Sequence, residues 1–513
     1  MKILHLFIFC LNILLSIAQS PDKLYDELFQ AVQLNRIFPD SKTFCDAIPR
    51  DLTPNAIRDL YREENPQPTF NLTSFVLNHF ILPNTTTIVH DKWTIEQHCH
   101  NLWPLLTRTT KHVTFSSFID IPHPFVVPGG RFGEFYYWDT YFTMLGLLRS
   151  NQNDLINNML ENFAFLIRNM TFIPNGNRYY YAGRSQPPYF SLMTELTKQT
   201  DKYKDVLEQE YQFWMTKRNI TLFDGTILNR YYDDESARPR PEAYLEDTEI
   251  ANRTGITDIY VHLRAAAESG WDFSSRWMED EGDLSTIRTA DILPVDLNSL
   301  LYHLEVTLGK KDEAERRRQA IYKYMWSSEI QFFTDYNHIS NKPTNRLTLA
   351  ALYPLWLDIA NEEQSQHVAR QVESKFLRDG GVVTTLSNRS TQQWDSPNGW
   401  APLQYITYRA LLKMPAYETV ARTIRDRWMS LNQRVFDDTG KMMEKYDVVN
   451  INKPAGGGEY ATQDGFGWTN GVYLEMLHDQ RSSNSNKYQS TTFLISFFIC
   501  FYFVIHRYFF NSK

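Results

Sequence analysis

The stretch "PGGRFGEFYYWDTY", Pro128 to Tyr141, sets three glycines, one arginine, two carboxylates and six aromatics in fourteen residues. That is not a core composition. Segments of the same kind recur: "PNGNRYYYAGRSQPPY", "ARPRPEAY", "ESGWDFSSRW", "QQWDSPNGWAPLQ" and "GGGEYATQDGFGWTNG". Between them the apolar pattern is helical. In "LINNMLENFAFLIRNM", Leu155, Met159, Phe163, Leu166, Ile167 and Met170 recur at three and four residues. "EAERRRQAIYKYMW" from Glu313 and "RLTLAALYPLWLDIA" from Arg346 show the same spacing and predict helices. Alternating strand patterns are short and scattered. The reading is a mostly helical scaffold whose chemistry sits on Gly- and Pro-rich loops.

The chain has 513 residues, 42% hydrophobic and 22% charged, with a net charge of −8. This is globular composition with ample length for a core. No basic block is present, which argues against a nucleic-acid partner. In "KKDEAERRR" from Lys310 the signs mix, and Asp312/Arg316 and Glu313/Arg317 at i,i+4 predict a solvated helix face. Residues 1–20, "MKILHLFIFCLNILLSIAQS", read as a secretory signal peptide. Residues 21–480 show no low-complexity linker or repeat and read as one domain. In residues 481–513 the polar spacer "RSSNSNKYQS" precedes an apolar run from Phe493 to Ile505. That pattern predicts a C-terminal membrane anchor, lipid-linked (GPI) or a single transmembrane segment, on the outer face of the plasma membrane. N-glycan sequons stand at Asn71, Asn84, Asn169, Asn219, Asn252 and Asn388. Outside the two ends only Cys45 and Cys99 remain, as one disulfide or as two buried thiols. No C-x-x-C, clustered His or phosphate-cradling motif calls for a metal or cofactor; "GGG" at Gly456 to Gly458 lacks the strand–turn–helix context of a dinucleotide site.

The loop inventory is that of a sugar site. An apolar C–H face stacks on an aromatic ring, while hydroxyls need directional donors and acceptors. Arginine offers a rigid fork, carboxylates accept from hydroxyls, and glycine lets the backbone come close. "PGGRFGEFYYWDTY" and "QQWDSPNGWAPLQ" resemble the two signature motifs of the trehalase family, glycoside hydrolase family 37. "GGGEY" from Gly456 resembles its glycine-rich segment, and agreement runs from "FPDSKTFCDAIP" near Phe38 to "GFGWTNGVYLEML" ending at Leu477. The resemblance implies an all-α (α/α)6 barrel with catalytic loops at one end. It also implies cofactor-free hydrolysis of α,α-trehalose to two glucoses with inversion.

By the same resemblance, the general acid is Asp272 in "ESGWD" and the general base is Glu444 in "MMEKYD". Asp447 is the local rival for the base. Trp271 and Trp277 flank Asp272 in sequence, and desolvation there would keep it protonated near neutral pH. Substrate-binding positions are Arg131, Trp138, Asp139, Asn175, Arg184, Ser185, Gln186, Arg240, Glu242, Gly270 and Glu459. Of Trp394 and Trp400, one stacks on substrate while the other packs. Three arginines, Arg131, Arg184 and Arg240, would then face five carboxylates, Asp139, Glu242, Asp272, Glu444 and Glu459, four of them charged if Asp272 holds its proton. Two other readings are a different inverting (α/α)6 glycosidase and a sugar-binding protein without catalysis. The second predicts loss of Asp272 or Glu444, and both are present.

Overall fold

The computed structural model describes residues 20–83, 92–110, 113–458 and 462–483. Residues 1–19 of the signal segment, Asn84, Glu459 and the apolar C-terminal run lie outside the described residues. The chain begins with α1 (Pro21–Leu34), α2 (Pro54–Glu64) and α3 (Leu72–His79). These gather around a small aromatic core of their own, with Tyr25, Phe29, Phe44, Phe75 and Phe80 all buried.

The rest is two concentric layers of helices. The inner layer, among the described residues, is α5 (Tyr137–Arg149), α7 (Phe190–Leu196), α11 (Val295–Leu308), α13 (Tyr353–Trp356), α15 (Ala401–Leu412) and α17 (467–483). Successive members from α5 through α15 pack side by side. The outer layer is α4 (Ile95–Leu106), α6 (Asn153–Met170), α8 (Lys204–Lys217), α12 (Lys311–Tyr324), α14 (Glu362–Gln371) and α16 (Glu418–Thr439). An excursion between α8 and α11 holds α9 (Tyr244–Thr254) and α10 (Ile259–Ser269).

Sequence pattern separates the layers. Every residue from Tyr137 to Leu147 is buried, as a helix apolar on all sides requires. In α6, by contrast, Ile156, Met159, Leu160, Phe163, Leu166 and Ile167 face inward on one stripe. The ring closes where α5 meets α17. A Cβ on Gly471 would stand 2.0 Å from the Phe142 carbonyl oxygen, and one on Gly146 2.6 Å from the Gly471 Cα. Only glycine permits that approach. The architecture is the expected (α/α)6 barrel.

Two local expectations are corrected, and one open choice is decided. The run from Arg346 is not one helix: a 3-10 turn (Leu349–Leu352) leads into the single turn of α13. The Thr348 side chain caps the start, Pro354 takes the first turn, and Asp358 at φ 57° ends it. In α12, Arg317 is not on the solvated face. It is buried, with Glu305 on its guanidinium at 2.8 Å and the Asn229 and Asn298 side chains at 2.9 Å. Arg316 does stay exposed, 3.4 Å from Glu313. Of the two cysteine readings, free buried thiols is the one found, because Cys45 lies in the small N-terminal core and Cys99 in the barrel core.

Candidate active site

A pocket of about 860 Å³, its open mouth included, lies at the N-terminal end of the inner helices. Trp138 and Asp139 enter it from the first turn of α5. The Gln186 side chain caps that turn, accepting from the backbone N–H of Tyr137 at 3.0 Å and of Trp138 at 3.1 Å. Trp400 enters as the residue before α15, and Trp468 from the start of α17. Trp394 and Trp400 both line the pocket, stacked with centroids 3.9 Å apart and planes 3° off parallel. Both rings edge the pocket, and Trp394 also packs on Trp271 at 5.5 Å.

The opening stretch divides its two carboxylates. Glu134 is fully buried and faces the N-terminal module, accepting from Lys42 and from Arg178, both at 2.9 Å. Burial works against its charge, but those two cations hold it down at about 2. It is a structural clamp. Asp139 faces the pocket. Burial pushes its carboxyl up to about 8, and the nearby charges of Glu444 and Asp272 add to the rise.

Asp272 follows the helix-ending turn of α10 at Gly270. That glycine has φ 74°, and a Cβ there would stand 2.9 Å from the Trp138 ring. Glycine is therefore required both by conformation and by contact. Burial pushes Asp272 up to about 6, against the pull of Arg240 and Arg184. Of the flanking rings, Trp271 stacks on Trp394 at 5.5 Å, and Trp277 donates to the Trp271 carbonyl at 3.0 Å beneath the Arg276 guanidinium. Neither lines the pocket, so the two rings act from behind.

Glu444 is 1% exposed and lines the same pocket. Its backbone N–H donates to the Gln463 carbonyl and its carbonyl accepts from Trp468 Nε1, each at 2.9 Å. The next residues form strand β2 (Lys445–Asp447), antiparallel to β1 (Asn398–Trp400), with Lys445 opposite Trp400. Asp447, the local rival for the base, is absent from the lining. Its Oδ1 accepts from the backbone N–H groups of Val449 and Asn450 and so shapes a turn.

Arg131, Asn175, Arg184, Gln186, Arg240, Glu242 and Gly270 also line the pocket. Ser185 does not. Its hydroxyl donates to the Ile173 carbonyl at 2.6 Å and its N–H to Glu268 at 2.7 Å, so it shapes the loop from behind. The expected charge tally is also corrected, because each arginine brings a partner outside it. Arg184 reaches Asn175 at 2.8 Å, Glu242 at 2.5 Å and Asp233 at 3.4 Å. Arg240 forks onto Asp247 at 2.7 Å, and Arg131 faces Asp40 at 3.6 Å. With those acids beside the arginines, the proton held by Asp139 keeps the pocket from a larger negative excess.

The pocket also includes Asp40, Lys42, Phe132, Tyr181, Phe466 and Trp468. Asp40 and Lys42 fall in "FPDSKTFCDAIP", and Phe466 and Trp468 in "GFGWTNGVYLEML", motifs that carry the family resemblance. Nothing in their local spacing separates a pocket wall from a packed one. Among the described residues, no three His, Cys, Asp or Glu side chains group as metal ligands would.

The trehalase family profile matches residues 36–480. The periplasmic trehalase of Citrobacter koseri is 43% identical over 497 residues, covering 90% of this chain and 86% of its own. That of Pseudomonas aeruginosa is 42% identical, covering 90% of each. Among solved structures, neutral trehalase Nth1 from Saccharomyces cerevisiae superposes with a TM-score of 0.59 at 28% identity, over 69% of this chain and 73% of its own. The expected anchored location on the outer face of the plasma membrane is corrected by the same comparison. These relatives are named for the bacterial periplasm. Among the described residues, which leave out the apolar C-terminal run, no helix is long and apolar enough to cross a membrane. A profile match over most of the chain, relatives above 40% identity and a shared barrel lead to one conclusion: the chain belongs to the trehalase family of glycoside hydrolases.

Proposed function

We propose that the chain hydrolyses α,α-trehalose to two glucose molecules with inversion at the attacked anomeric carbon. Asp272 gives its proton to the glycosidic oxygen as the C–O bond breaks. Glu444 takes a proton from the water that forms the new C–O bond on the opposite face. The observation that carries this reading is a half-buried carboxyl in a trehalase-family pocket, pushed up to about 6 by desolvation, that shares its walls with a second, fully buried carboxylate. A proton held near neutral pH is what an acid needs. Inverting enzymes hold such a pair about 6.5–9.5 Å apart, leaving room for the water.

The binding roles follow from chemistry. Arg131, Arg184 and Arg240 donate to sugar hydroxyls; Glu242 and Asn175 accept. Protonated, Asp139 donates as well as accepts. Trp138 offers its face to a sugar ring, with Trp394 and Trp400 as the stacked aromatic wall beside it. Ser185 supports from behind, and Glu459, outside the described residues, completes the set by family position. Residues 1–20 serve as the signal segment and 21–480 as one catalytic domain. Asn71, Asn169, Asn252 and Asn388 are exposed sequon positions open to N-glycans, which an N-glycosidase mass shift would test.

Purified protein should release glucose from trehalose and none from maltose. Proton NMR of the earliest product should show α- and β-glucose in equal amounts. Only α-glucose would mean retention, and would remove the base role from Glu444. No turnover of trehalose would remove the reading itself.

A further inference from the structure

Asp272 and Glu444 lie far apart in the chain, and each sits on a loop. Glu444 is pinned at its own backbone by Gln463 and Trp468. A pair of side chains links its strand to the loop of Asp272, beside the Trp394 N–H to Phe273 carbonyl bond at 3.1 Å and the Asp395 contacts to Ser274 and Ser275. The Gln393 Nε2 donates to the Asp272 carbonyl at 2.7 Å. The Lys445 Nζ, one residue past Glu444, donates to the Gln393 Oε1 at 2.6 Å. Both side chains are buried.

The same two residues reach the aromatic wall. The Gln393 carbonyl accepts from Trp400 Nε1 and from the Asn398 side chain, each at 3.0 Å. The Lys445 ammonium stands 5.2 Å from the Trp400 ring centroid. Lys445 also donates to the Gly457 carbonyl at 3.4 Å, and its charge is felt by both Glu444 and Asp272.

We propose that Gln393 and Lys445 form a brace across the site. Gln393 sets the position of the Asp272 loop relative to the Glu444 strand, and the Lys445 ammonium sets the electrostatic field that both carboxyls share. Both are positioning residues, and their role rests on the acid–base reading given above. Misplacing a catalytic group by about 1 Å can cost roughly 100-fold in rate. Removing the ammonium leaves Asp272 with Arg240 and Arg184 as its cations, opposed by Glu242, and Glu444 facing Asp139. Both carboxyls then hold their protons to higher pH, because a nearby positive charge favours the carboxylate.

The test uses Lys445→Met, Gln393→Met and the double variant of the full chain. Each single variant should lower kcat on trehalose by about 10- to 100-fold, with KM changed far less. The double variant should be no worse than the weaker single one, because the two residues act as one link. In Lys445→Met both limbs of the kcat/KM profile should move up by about one pH unit, while in Gln393→Met they should move less. Carbon-13 NMR titration of labelled Asp and Glu carboxyls, assigned with Asp272→Asn and Glu444→Gln, reads the same shift without turnover. The wild-type assay on trehalose thus judges the acid–base reading, and the carboxyl midpoints judge the brace. Unmoved midpoints in Lys445→Met would overturn it, as would losses of kcat that add in the double variant.

Discussion

Asp139→Asn isolates a proton that the fold holds against its ordinary chemistry. In the folded protein burial pushes the Asp139 carboxyl up to about 8, against a usual value of 3.8. Between those values the folded state keeps a proton that the unfolded chain has released. The folded state therefore binds more protons there, and stability falls as pH rises from about 4 to about 8, then levels off. Each pH unit corresponds to about 1.4 kcal/mol. Across a window of roughly four units the total is at most about 6 kcal/mol. Asparagine keeps the neutral shape and has no proton to lose. The variant should thus lack this part of the slope. Equilibrium urea denaturation of both proteins from pH 5 to pH 9 measures it. The stability of Asp139→Asn minus wild type should climb by about 1.4 kcal/mol per unit to about pH 8 and then flatten. A difference that stays flat across the range would refute the claim that Asp139 is buried protonated beside Glu444 and Asp272.

Asp272→Ala should lose about 10²–10⁴-fold on trehalose but less on the matching glucosyl fluoride, whose leaving group needs little protonation; steady-state rates on the two substrates check this. Glu444→Ala should be impaired on both, with azide restoring turnover to an inverted β-glucosyl azide seen by NMR. Arg184→Lys should lower kcat/KM by about 10- to 100-fold, since an ammonium cannot hold Asn175, Glu242 and Asp233 together and each lost charged hydrogen bond is worth about 1.5–3 kcal/mol. Gly471→Ala should yield little folded protein, read by thermal unfolding and soluble yield, because its Cβ would collide with the Phe142 carbonyl and force α5 and α17 apart.

Local pattern was enough for the helices whose own residues settle their conformation. Asn153–Met170 and Lys311–Tyr324 are present where the three- and four-residue spacing predicts them. The run from Arg346 has that spacing too, yet it breaks into short turns, because Thr348 caps early and Asp358 adopts a left-handed conformation. Periodicity reports which side chains are apolar; it does not report where a cap or a backbone reversal cuts the hydrogen-bond ladder. Arg317 makes the same point for charge. Its spacing from Glu313 suits a surface pair, but the barrel turns it inward to Glu305.

The sequence by itself determined the kind of site: aromatic faces, arginine forks and carboxylates on glycine-rich loops, in motifs long enough to carry the family. Only the tertiary structure decided which of those residues meet. Ser185 and Asp447 belong to the motifs, yet the closed barrel turns one to the backbone behind the pocket and the other into a turn. The state of the carboxyls was likewise beyond the sequence. Glu134 and Asp139 stand five residues apart in one motif and are both buried, yet one is held at about 2 and the other at about 8. The difference comes from what reaches each one across the fold: Lys42 and Arg178 for Glu134, and two more carboxyls for Asp139. Burial makes every unpaired charge costly, and the partners that offset that cost come from distant parts of the chain, so local sequence cannot specify them.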